Sequence, residues 1–232
     1  MNQHLARMVV WLALLCPVMS ATATTTDGST RTGYPIVLVP GSFGFDMLLG
    51  FIDYWSDMPR QLRQGDAEVY LTRLNPRAVD PARVEPLISQ LENLQAVYGY
   101  RRFNPYAHSH GGLSARCVAA VRPDLVVSVT TQSVPNDGSL FADGHTVLAP
   151  PGSLQRRILA AISDLGGELI SMALGQGLQT EDWPAVNASM TAAGMTRFNT
   201  LYPAGAPSRP CGGGSEVGAN GVRYYSSGGA RC

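Results

Sequence analysis

Apolar positions along this chain change period in a regular order. "YPIVLVPGS" (Tyr34 to Ser42) is a short β-branched run closed by a glycine turn, which predicts a buried strand followed by a loop. Apolar residues then recur at near-helical spacing from Met47 to Arg63 with Gly65 as a stop, predicting a helix, and "AEVYLTRL" reads as the next strand. Val84, Leu87, Ile88, Leu91, Leu94 and Tyr98 line one face of an amphipathic helix ended by Gly99. A strand over 102–107, a helix from His110 to Val121 and the run "LVVSVTTQSV" complete the alternation, so the fold class is α/β with a mostly parallel sheet flanked by helices. Pro105 falls inside the strand before residue 108, where a missing N–H predicts a broken ladder bond and a loss of stability. After Pro135 the pattern turns helical, in "SLQRRILAAISDLGGELISMALG" and again over 183–202, with no strand between; these helices are expected to cap the sheet as a lid over about 150–202. In the glycine-rich tail, "EVGANGVRYY" carries an Asn-Gly turn between apolar residues, a C-terminal hairpin signal.

Length adds that 232 residues suit one domain with a core large enough for a buried site. The 17 basic residues balance the 17 acidic ones and nowhere cluster, which argues against a nucleic-acid partner. A charged fraction of only 15% with 25 glycines fits a tightly packed domain and points to an apolar substrate. "MNQHLAR", "MVVWLALLCPVM" and "SATA" form the basic start, apolar run and small-residue end of an export signal over residues 1–23, leaving 24–232 as the folded domain. A membrane anchor is the other reading, but the run is short of the ~18 to 20 residues that span a bilayer. Leu15 stands before Cys16 where a lipoprotein signal wants a small residue. Secretion, extracellular or periplasmic, would leave Cys117, Cys211 and Cys232 in an oxidising compartment, where a Cys211 to Cys232 bridge is expected; Cys117, on an apolar helix face, reads as a small buried hydrophobe.

"AHSHGG" (Ala107 to Gly112) sits where a strand should pass directly into a helix. A sharp turn there would strain the serine backbone, lift the Ser109 hydroxyl above the sheet and leave the His110 amide open to an oxyanion. An ordinary N-cap serine is the alternative. The loop after the first strand, "PGSFGFD", stands where a second oxyanion amide, that of Ser42, would come from; a plain turn would explain its glycines equally well.

Together these segments resemble the secreted triacylglycerol lipases of the Pseudomonas and Burkholderia type, within the α/β-hydrolase superfamily. "YPIVLVPGSFGFD", "DYW", "HSHGG", "AAVRPDLVVSVTT", "RFNTLYPAG" and "CGGGSEVGANGVRYYSS" carry the likeness from about Tyr34 to Ser227. The resemblance implies an α/β-hydrolase fold and hydrolysis of acylglycerols or other esters at a lipid–water interface under a helical lid. Ser109 would be the nucleophile and the Ser42 and His110 N–H groups the oxyanion hole. It also implies a dedicated folding chaperone; a monomer is the default, and no cofactor is expected. The family's triad Asp and His would fall beyond the segment like "VRYYSS", and the chain stops at Cys232, so it reads as C-terminally truncated, with no metal expected because the family's calcium ligands would fall there too. His110 and His145 are the histidines after the serine: His110 starts the helix and should point away from the hydroxyl, and His145 lies in the loop leading to the lid. Asp137 and Asp143 become acids only after a rearrangement. Besides Ala107 in place of glycine at the elbow, three departures stand inside the matched region: Pro40 in place of a histidine before Gly41, Pro105 within the strand leading to Ser109, and "VPNDGS" in place of a Thr-Pro-His turn. Two outcomes follow, a lipase of very weak activity or a non-catalytic lipid-binding relative.

Overall fold

The computed structural model describes residues 27–42, 47–48, 52–75, 80–148, 150, 152–155, 157, 183–209 and 212–228. Residues 1–23, expected to be a leader, Cys211, Cys232 and residues 158–182 of the expected lid lie outside them. The elements in order are β1 (Ile36–Val39), β2 (Met47–Leu48), β3 (Ile52–Asp53), α1 (Met58–Gln64), β4 (Val69–Leu71), α2 (Asp80–Tyr98), β5 (Asn104–His108), α3 (Gly111–Val121), β6 (Ser128–Gln132), α4 (Leu140–Leu148), α5 (Trp183–Ser189), α6 (Ala192–Leu201) and β7 (Arg223–Ser227).

Five strands form one sheet in the order β4-β1-β5-β6-β7, every neighbouring pair parallel. β1 is buried on both faces, as a strand covered by helices on each side must be. Val37 and Val39 enter the main core with Leu87 and Leu91 of α2 and Leu113 and Val118 of α3, while Leu38 faces a second cluster with Trp55, Ala67 and Val69. Met195 and Phe198 join α6 to the main core, so this part of the expected lid packs on the body of the domain. Cys117 is buried in the same core.

Three local expectations change. The helix predicted from Met47 to Arg63 is a short antiparallel pair, β2 with β3, then a turn and a helix of only seven residues. Pro59 explains the late start: its fixed φ and absent N–H suit a first helical turn and not a helix interior. His145 lies in the last turn of α4 and not in a loop. Pro105 does sit in the central strand, and the ladder yields around it. Phe103 faces Val126, but Tyr106 faces Thr130, so three steps along β5 match four along β6, a one-residue bulge. The Val127 carbonyl is taken up by the Arg223 N–H at 3.0 Å, from the opposite neighbour. In the tail, Gly221 at φ +76° turns the chain and Val217 pairs antiparallel with Arg223, the first residue of β7, forming the expected hairpin.

Candidate functional site

β5 ends at His108 and α3 begins at Gly111, leaving two residues to reverse the backbone. Ser109 takes the strain, with φ +53° in the left-handed region, where a non-glycine residue costs about 1–3 kcal/mol. Neighbouring bonds hold it there: its N–H donates to the Gln132 carbonyl at 3.0 Å, and its carbonyl accepts the Gly112 N–H at 3.0 Å. The turn also demands close backbone approach. A β-carbon on Gly111 would lie 2.5 Å from the Pro40 oxygen, and one on Gly41 would lie 2.8 Å from Ser109 Cβ. The loop after β1 is thus pressed against the serine. Ala107, by contrast, is fully buried in the main core, where its methyl has room.

Ser42 and His110, the two expected oxyanion residues, meet directly: Ser42 Oγ and His110 Nδ1 are 3.2 Å apart, and His110 is buried. His110 therefore ties the loop to the start of α3. Arg83, which the sequence reading passed over, is fully buried and holds the same loop from below, its Nη2 donating to the Pro40 carbonyl at 2.5 Å, Nη1 to the Asn75 carbonyl at 2.6 Å and Nε to Ser114 Oγ at 3.1 Å. An arginine on the apolar stripe of α2, four residues before Leu87, was the available signal. Tyr54, within the quoted "DYW", accepts the Gly41 N–H at 3.0 Å and lies 2.5 Å from His108 Nδ1. Burial pushes the Tyr54 phenol up and His108 below the ordinary histidine range, so both are neutral near pH 7.

The other candidates lie elsewhere. Asp143 accepts the Ala192 N–H at 3.1 Å, a cap on α6. His145 Nδ1 is buried without a hydrogen-bond partner among the described residues. Asp137 lines a cavity of about 670 Å³ beyond the ends of β6 and β7, with Ser133, Arg209, Tyr225 and Ser227. Among the described residues, no hydrogen bond joins the Ser109 hydroxyl to a histidine ring, and no group of three or more His, Cys, Asp or Glu side chains could hold a metal.

A family profile described as the alpha/beta hydrolase fold matches residues 34–213, which takes in the strained serine, the loop pressed on it and most of the sheet. The chain belongs to the α/β-hydrolase family. Among curated hydrolases it is 41% identical over 211 residues to a triacylglycerol lipase of Vibrio cholerae, covering 91% of this chain and 67% of the relative. It is 37% identical over 200 residues to one of Pseudomonas fragi (86% and 68% covered), and 32% identical over 243 residues to one of Burkholderia plantarii (97% and 67%). It thus spans about two thirds of their length. The crystal structure of mature Bacillus licheniformis lipase BlEst2 superposes with a TM-score of 0.52 at 19% identity, covering 83% of this chain and 64% of that one, a likeness of fold. No helix among the described residues is long and apolar enough to cross a membrane.

Proposed function

We propose that this chain is a serine carboxylic-ester hydrolase of the triacylglycerol lipase kind. Ser109 at φ +53°, on the strand-to-helix turn with the Gly41 loop packed against it, is the observation that carries the reading. In this reading the Ser109 oxygen bonds to the ester carbonyl carbon. The carbonyl oxygen gains the negative charge and is held by the Ser42 and His110 N–H groups. The C–O bond to the alcohol then breaks, the alcohol leaves with the serine proton, and water later cleaves the acyl-serine to release the acid. Both halves need a base, because a serine hydroxyl is hardly ionised at neutral pH.

A second reading, a lipid-binding relative without turnover, draws on the finding that no histidine ring is hydrogen-bonded to the Ser109 hydroxyl among the described residues. Oxyanion stabilisation and binding leave ~10³–10⁴-fold over water even without a complete triad, so the first reading predicts serine-dependent hydrolysis at or above that level. Purified protein should cleave p-nitrophenyl esters and be labelled by a fluorophosphonate, and Ser109→Ala should abolish both. Fatty-acid binding with no serine-dependent reaction would instead establish the second reading. The leader-like residues 1–23 support secretion, and the resemblance supports a folding chaperone and action at a lipid–water interface, with a monomer as the default.

A further inference from the structure

We propose that Tyr54 is a positioning residue that locks the oxyanion loop onto the nucleophile's own strand. The inference rests on the reading of Ser109 as nucleophile and adds a device that the reading alone does not contain. The Pro40 carbonyl and the Gly41 N–H are the two ends of one peptide unit. Arg83 grips the oxygen end at 2.5 Å, and the Tyr54 hydroxyl grips the nitrogen end at 3.0 Å. Each grip continues into the serine turn from a different side, Arg83 to Ser114 of α3 at 3.1 Å and Tyr54 to His108 of β5 at 2.5 Å. A planar peptide held at both ends cannot rotate about the chain axis. The next N–H along the chain is that of Ser42, in the following peptide unit, so fixing this plane anchors the base from which the proposed oxyanion donor is aimed.

Proton directions agree with this role. With its ring in the Nε2–H tautomer, neutral His108 accepts the phenol hydrogen at Nδ1, which leaves the Tyr54 oxygen to accept from Gly41. Gly41 N–H, Tyr54 O–H and His108 Nδ1 then form one chain of donors running in a single direction, an arrangement in which each bond strengthens the next. The ring is fixed independently. Trp55, buried in the second core cluster, meets it edge-on at 5.2 Å between centroids, so Tyr54→Phe removes the hydroxyl and leaves the packing. Tyr54 is also adjacent to the reacting residue: the point a β-carbon on Gly41 would occupy is 3.1 Å from the Tyr54 oxygen and 2.8 Å from Ser109 Cβ.

The test uses the full chain and a fluorophosphonate probe, whose phosphonyl oxygen sits where the oxyanion would. Wild type and Tyr54→Phe, both folded, should show the same probe dissociation constant, while the limiting labelling rate falls about 10- to 100-fold in the variant, the range for a misplaced donor. His108→Ala should fall as far, the double variant no further, and His108→Gln, whose amide oxygen can still accept the phenol proton, should recover most of the rate. In the same samples, hydrogen exchange at the Gly41 amide should be slow in wild type and fast in Tyr54→Phe. An unchanged labelling rate together with unchanged Gly41 exchange overturns the proposal. A Tyr54→Phe protein that does not fold leaves the decision to His108: equal rates for wild type, His108→Ala and His108→Gln overturn it. If wild type itself resists labelling, the reading of Ser109 fails, and Gly41 exchange alone then decides whether Tyr54 holds the loop.

Discussion

Ser109 concentrates the local physics of this molecule. A side chain in the left-handed region is disfavoured by its own β-carbon, so the conformation persists only because Gln132, Gly112 and the loop at Gly41 leave the backbone no alternative. Gly111 shows how little space remains. In Gly111→Ala the new methyl would meet the Pro40 oxygen at 2.5 Å and the Val39 oxygen at 2.6 Å, both backbone atoms, so something must shift. The variant should lose about 1–3 kcal/mol in urea unfolding and label more slowly at Ser109. His108 adds a pH dependence. Its folded pKa lies below the ordinary 6.5 because burial disfavours the charged ring, so between the two values the unfolded chain binds the extra proton. Its contribution to stability is complete above about pH 6.5 and falls as pH drops below it. Wild type should therefore lose more of its unfolding midpoint than His108→Gln between pH 7.5 and pH 5.5, and equal losses would contradict this.

Between elements, buried arginines act as the ties. Arg116 of α3 is almost fully buried and donates to the carbonyls of Tyr202 at 2.8 Å and Ala204 at 3.2 Å and to the side chains of Asn199 at 2.9 Å and Asn136 at 3.2 Å. Its guanidinium also lies 5.0 Å from the centre of the Phe198 ring. The stretch "RFNTLYPAG", recognisable in the sequence as family-like, is thus the segment that wraps this one side chain. Arg116→Met keeps the bulk and strands those acceptors, and should cost about 3 kcal/mol or more by denaturant unfolding. β5 and β6 show a different adjustment. Pro105 was legible as a defect in a central strand, but the bulge that accommodates it depends on β7 supplying Arg223 from across the sheet.

Over the whole molecule, cohesion comes from two apolar clusters on either side of a parallel sheet, and surface charge contributes little. The ion pairs Arg31–Asp66, Arg60–Asp57, Arg122–Glu92 and Arg223–Glu216 all involve exposed or partly exposed partners, and the formal net charge is +0. Exposed pairs of this kind are worth about 0–1 kcal/mol each and are screened at high salt. Adding sodium chloride to 1 M should move the unfolding midpoint by no more than a few degrees, checked by thermal melts; a large drop would mean that charge pairing holds the fold.

The strand and helix alternation, the parallel sheet and the serine turn were all readable from the chain, because each depends on contacts within a few residues or on a period that burial imposes locally. The helix expected over 47–63 failed for a related reason: apolar spacing cannot distinguish a helix from a tight antiparallel pair beside a proline. The grips on the Gly41 loop were not readable. Arg83 reaches Pro40 across 43 residues, Tyr54 reaches His108 across 54 and Arg116 reaches Ala204 across 88. No periodicity records such partners. A buried arginine or tyrosine finds its acceptors only when the folded backbone brings distant carbonyls and ring nitrogens within hydrogen-bond reach, and that proximity belongs to the packed chain.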